Sequence, residues 1–430
     1  MKIAIIGLWH LGCVTAACLA AAGHDVLAYD PDPNIIKQLQ QGEPPLFEPG
    51  LKELLLNGVN TGKLHYFSDL QLLSDIDLVW VTFDTPVDEN DHAHVSDVTQ
   101  HIAILFPFLK QNTLLLISSQ LPIGTTRQLQ QQYATQWPQK KLQFSYIPEN
   151  LRLGNAIQVL MKTDRFVVGI DDEYVVPLIK TLLTPFSSQF IWMTIESAEM
   201  TKHAINAFLA TSVIFINELA TLCECVGANA REVERGLKSE ERIGSKAYLR
   251  PGTAIAGGTL LRDLNYLLAA GQQQQLNMSF ISNLLTSNQL HKQWTCQRMM
   301  AILPQIKEKT IVSLGLTYKT GTNTLRRSLA IETCEWLHQQ GANIVAYDPT
   351  LTTLPTELAQ FIELKSSIEQ VLPLADAIMI ASDSPFFLNI TPNQLLSYRK
   401  QPVVVDPSGF LLNTLGNDKR IHYFSVGSCA

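Results

Sequence analysis

The sequence is short of charge, short of basic clusters and without any patterned use of cysteine, and each shortage removes a class of function. Only 17% of the 430 residues are charged and they sum to −7. No Lys/Arg stripe is visible, which excludes a nucleic-acid-binding surface. The seven cysteines, Cys13, Cys18, Cys223, Cys225, Cys296, Cys334 and Cys429, are odd in number and scattered through apolar helical stretches. Cys223 and Cys225, two apart, face different sides of a helix and make no metal pair. The expectation is small core residues in a reduced cytoplasm, with no metal site. No uninterrupted apolar run approaches the ~20 residues of a membrane span, and the chain begins on a strand rather than a signal peptide. A soluble protein of about two to three domains is expected.

What is present begins at once. Ile3–Gly7 is an apolar strand that runs into a glycine turn, Leu8-Trp9-His10-Leu11-Gly12, and Cys13–Ala22 is a helix of small residues. A second strand, Val26–Tyr29, ends in Asp30. This is a dinucleotide-binding fingerprint with one defect. Gly7 allows the tight turn, Gly12 allows the helix to pack closely on the strand, and the helix N-terminus presents N–H groups to a pyrophosphate. Asp30 is placed to accept from a ribose 2′-OH, which selects NAD over NADP. The middle glycine, which lets the pyrophosphate approach the backbone, is Trp9.

Further strands are expected at Leu78–Phe83, Thr113–Ser118, Gln143–Ile147, Phe166–Gly169 and Phe190–Met193, most of them continuous apolar runs suited to parallel strands covered on both faces. The loops Asp84-Thr85-Pro86 and Ser119–Thr126 then fall at strand carboxyl ends and rim the cofactor crevice. From Glu196 to Val226 no helix breaker occurs and apolar residues recur at helical spacing, which predicts one helix of roughly 30 residues, about 45 Å long. After further helices to Met300, the βα alternation restarts with strands at Thr310–Gly315, Asn343–Asp348, Ala377–Ala381 and Val403–Asp406 and a helix at Ser328–Gly341. Gly315 lacks the glycine spacing that opens a helix, so this second domain is not expected to hold a dinucleotide. The fold class is α/β: two Rossmann-like βα domains joined by a long central helix and an all-helical dimerisation domain. The expected boundaries are residues 1–195, 196–303 and 304–430.

Seven segments occur in order: Glu48-Pro49-Gly50-Leu51, Thr85-Pro86, Leu121–Thr126, Pro148-Glu149-Asn150-Leu151-Arg152, Ala198–Lys202 with Asn206, Arg242-Ile243-Gly244, and Gly315–Lys319. Together they resemble the UDP-glucose/GDP-mannose dehydrogenase family over nearly the whole chain. The resemblance implies NAD in the N-terminal domain, a UDP-sugar against the C-terminal domain, a homodimer through the central helix, and oxidation of a sugar CH₂OH to carboxylate in two hydride transfers. In that scheme a cysteine captures the intermediate aldehyde. Lys202, Asn206 and Asp263 match the alcohol-oxidising set, and Glu149 the glutamate that assists hydrolysis. Gly7, Trp9, Leu11, Gly12, Asp30, Thr85, Gln120, Arg262 and Arg326 match cofactor positions. Glu149, Leu151, Arg152, Lys202, Asn206, Arg242, Tyr248, Leu249, Gly252 and Lys319 match substrate positions, with Arg242 reaching the neighbouring subunit's substrate.

The chain departs from the family at one chemical step. Registered on Gly252, Gly257 and Asp263, the cysteine position is Thr259, and a hydroxyl is a far poorer nucleophile than a thiol. Arg262 replaces the family's lysine, a fixed planar cation that is no proton donor. Leu153, Gln120, Asn323, Thr324 and Arg327 replace a glutamate, a threonine, two aspartates and a glutamate. The expectation is a nucleotide-sugar dehydrogenase of cytoplasmic polysaccharide biosynthesis that lacks the covalent thioester step. The alternative, motivated by Trp9 and Leu153, is a redox-inactive sugar-nucleotide-binding or regulatory homologue. A dehydrogenase of the 6-phosphogluconate type shares the domain order but lacks the Glu48–Gly50 and Gly315–Lys319 segments.

Overall fold

A computed structural model describes residues 1–86 and 93–428, so Cys429 lies outside the described residues. The chain divides into two compact units. The first is Met1–Ile205 with Asn265–Gln275; the second is Asn206–Leu264 with the chain from Leu276 onward.

The first unit is built on eight strands: β1 (Lys2–Ile6), β2 (Asp25–Tyr29), β3 (Leu64–Tyr66), β4 (Leu78–Val81), β5 (Leu114–Ile117), β6 (Gln143–Tyr146), β7 (Phe166–Ile170) and β8 (Phe190–Met193). Their order in the sheet is β3-β2-β1-β4-β5-β6-β7-β8. All pairs are parallel except β6 with β7, where the sequence pattern had suggested parallel strands throughout. The continuous apolar runs are explained by burial on both faces. Ile3 and Ile5 pack into one core with Val14 and Leu19, while Ala4 and Ile6 pack into the other with Val79 and Ile102. Chain order reverses between β1 and β4, which places the ligand crevice above their carboxyl ends.

The second unit holds a six-stranded parallel sheet: β9 (Thr310–Leu314), β10 (Asn343–Tyr347), β11 (Ile362–Leu364), β12 (Ala377–Ile380), β13 (Val403–Val405) and β14 (His422–Phe424). The order is β11-β10-β9-β12-β13-β14, with its own reversal between β9 and β12. Three strands escaped the sequence reading: β3, β11 and β14. Each has three residues and lies at a sheet edge, where a half-exposed strand needs no apolar run.

Six helices matter for the site: α1 (His10–Ala21), α2 (Thr125–Gln136), α3 (Ile195–Val226), α4 (Thr259–Gln273), α5 (Ser279–Lys292) and α6 (Leu329–Gln339). The central helix α3 runs 32 residues, one residue earlier at its start than expected. By length and composition α3 is apolar enough to cross a membrane, which a count of uninterrupted apolar residues does not register. It also buries Glu199, Lys202, His203, Asn206 and Asn217, groups that lipid would penalise and protein contacts satisfy.

Candidate functional site

Gly7 closes β1 with φ +94°, and a Cβ there would stand 2.6 Å from the Phe83 ring. A Cβ at Gly12 would lie 1.8 Å from the Gly7 carbonyl oxygen and 2.8 Å from Thr82 Oγ1. These contacts let α1 start directly against the end of β1. Trp9 is the N-cap residue of α1, at φ −82°, so its backbone needs no glycine, and its side chain makes no capping hydrogen bond. The indole is 40% exposed and belongs to neither core of the unit. Leu11 is half-buried on the first turn. The N-terminal N–H groups of α1, uncapped by Trp9, and the glycine cradle fit a bound dinucleotide diphosphate.

Asp30 braces the turn. Its Oδ2 accepts from Leu8 N at 2.6 Å and its Oδ1 from Asp32 N at 2.9 Å, so it ties the glycine turn to the end of β2. Burial pushes its carboxyl above the ordinary range, against the pull of those two N–H groups. An ionised carboxylate has about four acceptor positions, which leaves capacity for a ribose diol. The second unit repeats the device. Ala346-Tyr347-Asp348-Pro349 copies Ala28-Tyr29-Asp30-Pro31, Asp348 Oδ2 accepts from Leu316 N at 2.8 Å, and Gly315 N donates to Tyr347 O at 2.8 Å as Gly7 N does to Tyr29 O.

The crevice loops of the first unit are held by buried carboxylates. Thr85 Oγ1 donates to Gln120 O at 2.7 Å, joining the loops after β4 and β5. Glu199, on the first turn-and-a-half of α3, accepts from Gly124 N at 2.6 Å and Thr126 N at 3.0 Å, and His203 bonds Leu121 O at 3.0 Å. Burial raises the Glu199 carboxyl despite those donors. Glu48 accepts from His10 Nε2 at 2.9 Å, Gly154 N at 2.7 Å and Ala156 N at 2.8 Å, fastening the Glu48-Pro49-Gly50 loop to the start of α1. Burial pulls the Glu48 carboxyl up, but the three donors outweigh it and hold it below its ordinary 4.5. A depressed carboxyl stabilises the fold above about 4.5 and loses that stabilisation as pH falls through the folded-state value. Glu48→Gln is therefore expected to lose about 2 kcal/mol at pH 7. Its melting temperature should also fall less steeply than that of the wild type between pH 5 and pH 3, as thermal melts across that range will show.

Lys202 is only 4% exposed. Its Nζ donates to the Glu149 carbonyl oxygen and lies 3.9 Å from Glu149 Oε2. Glu149 is not at a helix start; it sits in the loop after β6, where its Oε1 accepts from Leu151 N. Arg152 and Leu153, next along, are exposed. One helical turn beyond Lys202, in the second unit, Asn206 Nδ2 donates to Asp263 Oδ2, and both residues are buried. Neither Lys202 nor Asp263 is a solvated surface charge.

Thr259 is the exposed first residue of α4, with Arg262 buried one turn on. The Tyr318 hydroxyl lies 3.4 Å from where a Cβ on Gly258 would stand, and an Arg327 nitrogen 4.0 Å away, so the Gly315–Lys319 segment flanks the residue preceding Thr259. Arg327 holds a left-handed backbone, φ +62°. Leu249 and Gly252 are buried; Arg242, Tyr248, Lys319 and Arg326 are exposed, and Arg242 Nε pairs with Glu240 at 2.7 Å. Burial pushes Cys18 to about 12, Cys296 to about 11 and Cys334 to about 12, and raises Cys13 likewise, so none of these four is a ready thiolate. No cluster of metal-binding side chains occurs among the described residues.

With this geometry in place, the comparisons decide the family. Residues 1–187 match the model of the UDP-glucose/GDP-mannose dehydrogenase family NAD binding domain, 196–290 its central domain and 312–413 its UDP binding domain. A UDP-glucose 6-dehydrogenase of Bacillus subtilis is 30% identical over 99% of this chain and 98% of its own. The chain belongs to the UDP-glucose/GDP-mannose dehydrogenase family. A Rhizobium meliloti UDP-glucose 6-dehydrogenase is 31% identical, with 94% of each chain covered. The solved UDP-glucose dehydrogenase of Pyrobaculum islandicum shares the fold, at TM-score 0.86 and 24% identity over 100% of this chain and 98% of that one. As a family member the protein is an NAD-dependent nucleotide-sugar dehydrogenase, an oxidoreductase acting on CH–OH, with NAD as its cofactor.

Sequence reasoning quoted Glu48 and Glu199 within motifs without giving them work, and passed over Asn217, Asn288 and His291. The available signal was polarity inside apolar helices, which marks a residue as engaged without naming its partner.

Proposed function

We propose that the protein oxidises the primary alcohol of a UDP-sugar and lacks the thioester stage of its relatives. What supports the reading is Thr259 at the cysteine position, four residues before an Asp263 that is buried and accepts from Asn206, together with the burial of Lys202. Bound NAD supplies the hydride acceptor. Gly7, Leu11, Gly12, Asp30, Thr85 and Gln120 hold it, with Trp9, Arg262 and Arg326 at the remaining cofactor positions. Lys202 takes the hydroxyl proton as the alcohol carbon loses hydride, and Asn206, fixed by Asp263, donates to the developing alkoxide. The aldehyde then adds water, and the resulting gem-diol passes a second hydride to a second NAD, exchanged for the reduced one, and a proton to Glu149 to give the acid. Leu151, Arg152, Tyr248, Leu249, Gly252 and Lys319 bind the sugar nucleotide.

The test counts NADH per UDP-sugar consumed, with and without a carbonyl trap. One equivalent with trapped aldehyde, and a slow second equivalent without the trap, is the expected result. Two equivalents at a single rate with nothing trapped would overturn it.

Trp9 supports a second reading, a redox-inactive nucleotide-sugar-binding homologue, because it replaces the glycine at which a diphosphate approaches the backbone. Calorimetry separates the two: micromolar NAD affinity severely weakens the second reading, and no NAD binding by the purified protein removes the first.

The assembly we propose is a homodimer through α3. Phe208, Phe215 and Leu222 recur every seven residues along it and are 72%, 47% and 55% exposed, an apolar seam that a second copy would cover. Arg242, exposed and held by Glu240, is the side chain assigned to the neighbouring subunit's substrate. The six described cysteines are all free, which fits the cytoplasm.

A further inference from the structure

The segment Pro251–Gly258 has no helix or strand, yet Pro251, Gly252, Ala254 and Ile255 are buried. Buried peptide groups need partners, and a segment with no strand beside it must find them on side chains. Two helices of the second unit provide them. On α3, Asn217 Oδ1 accepts from Gly252 N at 2.9 Å while its Nδ2 donates to Thr253 O at 3.2 Å. On α5, Asn288 Oδ1 accepts from Ile255 N at 2.8 Å while its Nδ2 donates to Ile255 O at 2.9 Å. His291, one turn further on α5, bonds Gly252 O through Nε2 at 2.8 Å. Both asparagines are buried.

A carboxamide carries a donor and an acceptor on one plane, as a peptide unit does. Asn288 therefore pairs with Ile255 as a neighbouring strand would, and Asn217 does the same across Gly252 and Thr253. Five hydrogen bonds hold three of the four residues Gly252–Ile255. The fixed segment borders a cleft. Gly252–Ala254 and His291 line it together with Leu329 at the start of α6, Ala381 after β12 and Pro407 after β13. That position, at strand carboxyl ends beside the β9/β12 reversal, is where an open α/β sheet takes its ligand.

We infer that Asn217, Asn288 and His291 are positioning residues that hold Gly252–Ile255 as a preformed wall of the nucleotide cleft. They set affinity for the UDP moiety by sparing the segment its ordering cost on binding. The inference rests on the proposed reading of the protein as a UDP-sugar enzyme. The same segment leads on to Thr259 and Asp263, so the frame also delivers the reacting end of the site at a fixed distance along the chain.

The test is isosteric. Asn288→Asp keeps size and the acceptor for Ile255 N–H, but sets a carboxylate oxygen against the Ile255 carbonyl. Calorimetry with UDP, and separately with NAD, reads the outcome on the full chain. The expected result is at least a tenfold loss of UDP affinity, a matching rise in KM for the nucleotide sugar, and unchanged NAD affinity. His291→Leu should act the same way, and His291→Gln, which restores an N–H donor, should recover most of the loss. A purely structural role would lower the melting temperature and the active fraction while leaving UDP affinity of the folded protein unmoved; that outcome overturns the inference. Should Asn288→Asp not fold, Asn217→Asp and the two His291 variants put the same question to the same segment. Wild-type protein that binds no UDP would instead refute the functional reading, and the inference with it, an outcome distinct from wild-type binding that the variants retain.

Discussion

Lys202→Met should cut the rate of NADH formation from a UDP-sugar by a factor of 10² to 10⁴, the usual range for removing a positioned proton acceptor. NAD affinity should not change. Methionine fills nearly the same volume, and the amino group it replaces is buried with the Glu149 carbonyl as its partner. Removing a buried polar group together with its desolvation cost leaves stability close to that of the wild type. Stopped-flow absorbance under single-turnover conditions isolates the chemical step from product release. Asp263→Asn should fall in the same direction, because the new amide meets the Asn206 Nδ2 donor with an ambiguous partner and frees Asn206 to turn. A Lys202→Met variant that keeps more than a tenth of the wild-type rate would remove Lys202 from the mechanism.

Gly12→Val should abolish NAD binding and destabilise the first unit together. The new Cβ would stand 1.8 Å from the Gly7 carbonyl oxygen, a contact that backbone must move to relieve. Overpacking of this kind costs about 3 kcal/mol or more. For a unit of about 200 residues that is a fall of roughly 6–12 °C in melting temperature. Differential scanning calorimetry gives the shift, and titration with NAD at a temperature where the variant stays folded gives the binding loss. A variant that melts normally and binds NAD would show that α1 does not need its close approach to β1.

The two predictions draw on parts of the molecule that were legible to different degrees. The turn around Gly7 and Gly12 was readable because three features follow one another in the first twenty-two residues: an apolar strand, a turn bounded by two glycines and a small-residue helix. The central helix was readable because nothing in thirty residues breaks its period. β3, β11 and β14 were not, since three residues at a sheet edge leave no periodic trace. Burial of Lys202 and Asp263 could not be read either. Spacing places Lys202 and Asn206 on one stripe of α3, but whether that stripe meets protein or water depends on elements more than fifty residues away. The same holds for Glu199, Asn217 and Asn288. A polar residue on an apolar helix announces that it has a partner, and the partner is a backbone group whose identity no side-chain pattern encodes. Substitution of the cysteine by Thr259 was visible only through register on Gly252, Gly257 and Asp263; the structure adds that Thr259 opens α4 and that burial raises the thiols of Cys296 and Cys334.

The twin aspartates have a bearing on how cofactor mutants of this protein are to be interpreted. Asp30 braces its turn through Leu8, and Asp348 braces a matching turn through Leu316 in a domain whose turn does not open a helix. Replacing Asp30 with alanine would thus confound a lost ribose contact with a collapsed brace. The molecule contains its own comparison: Asp348→Ala removes the matching Leu316 brace together with further bonds from Thr317 and Thr350, so its stability loss sets an upper bound on what the brace alone is worth at Asp30.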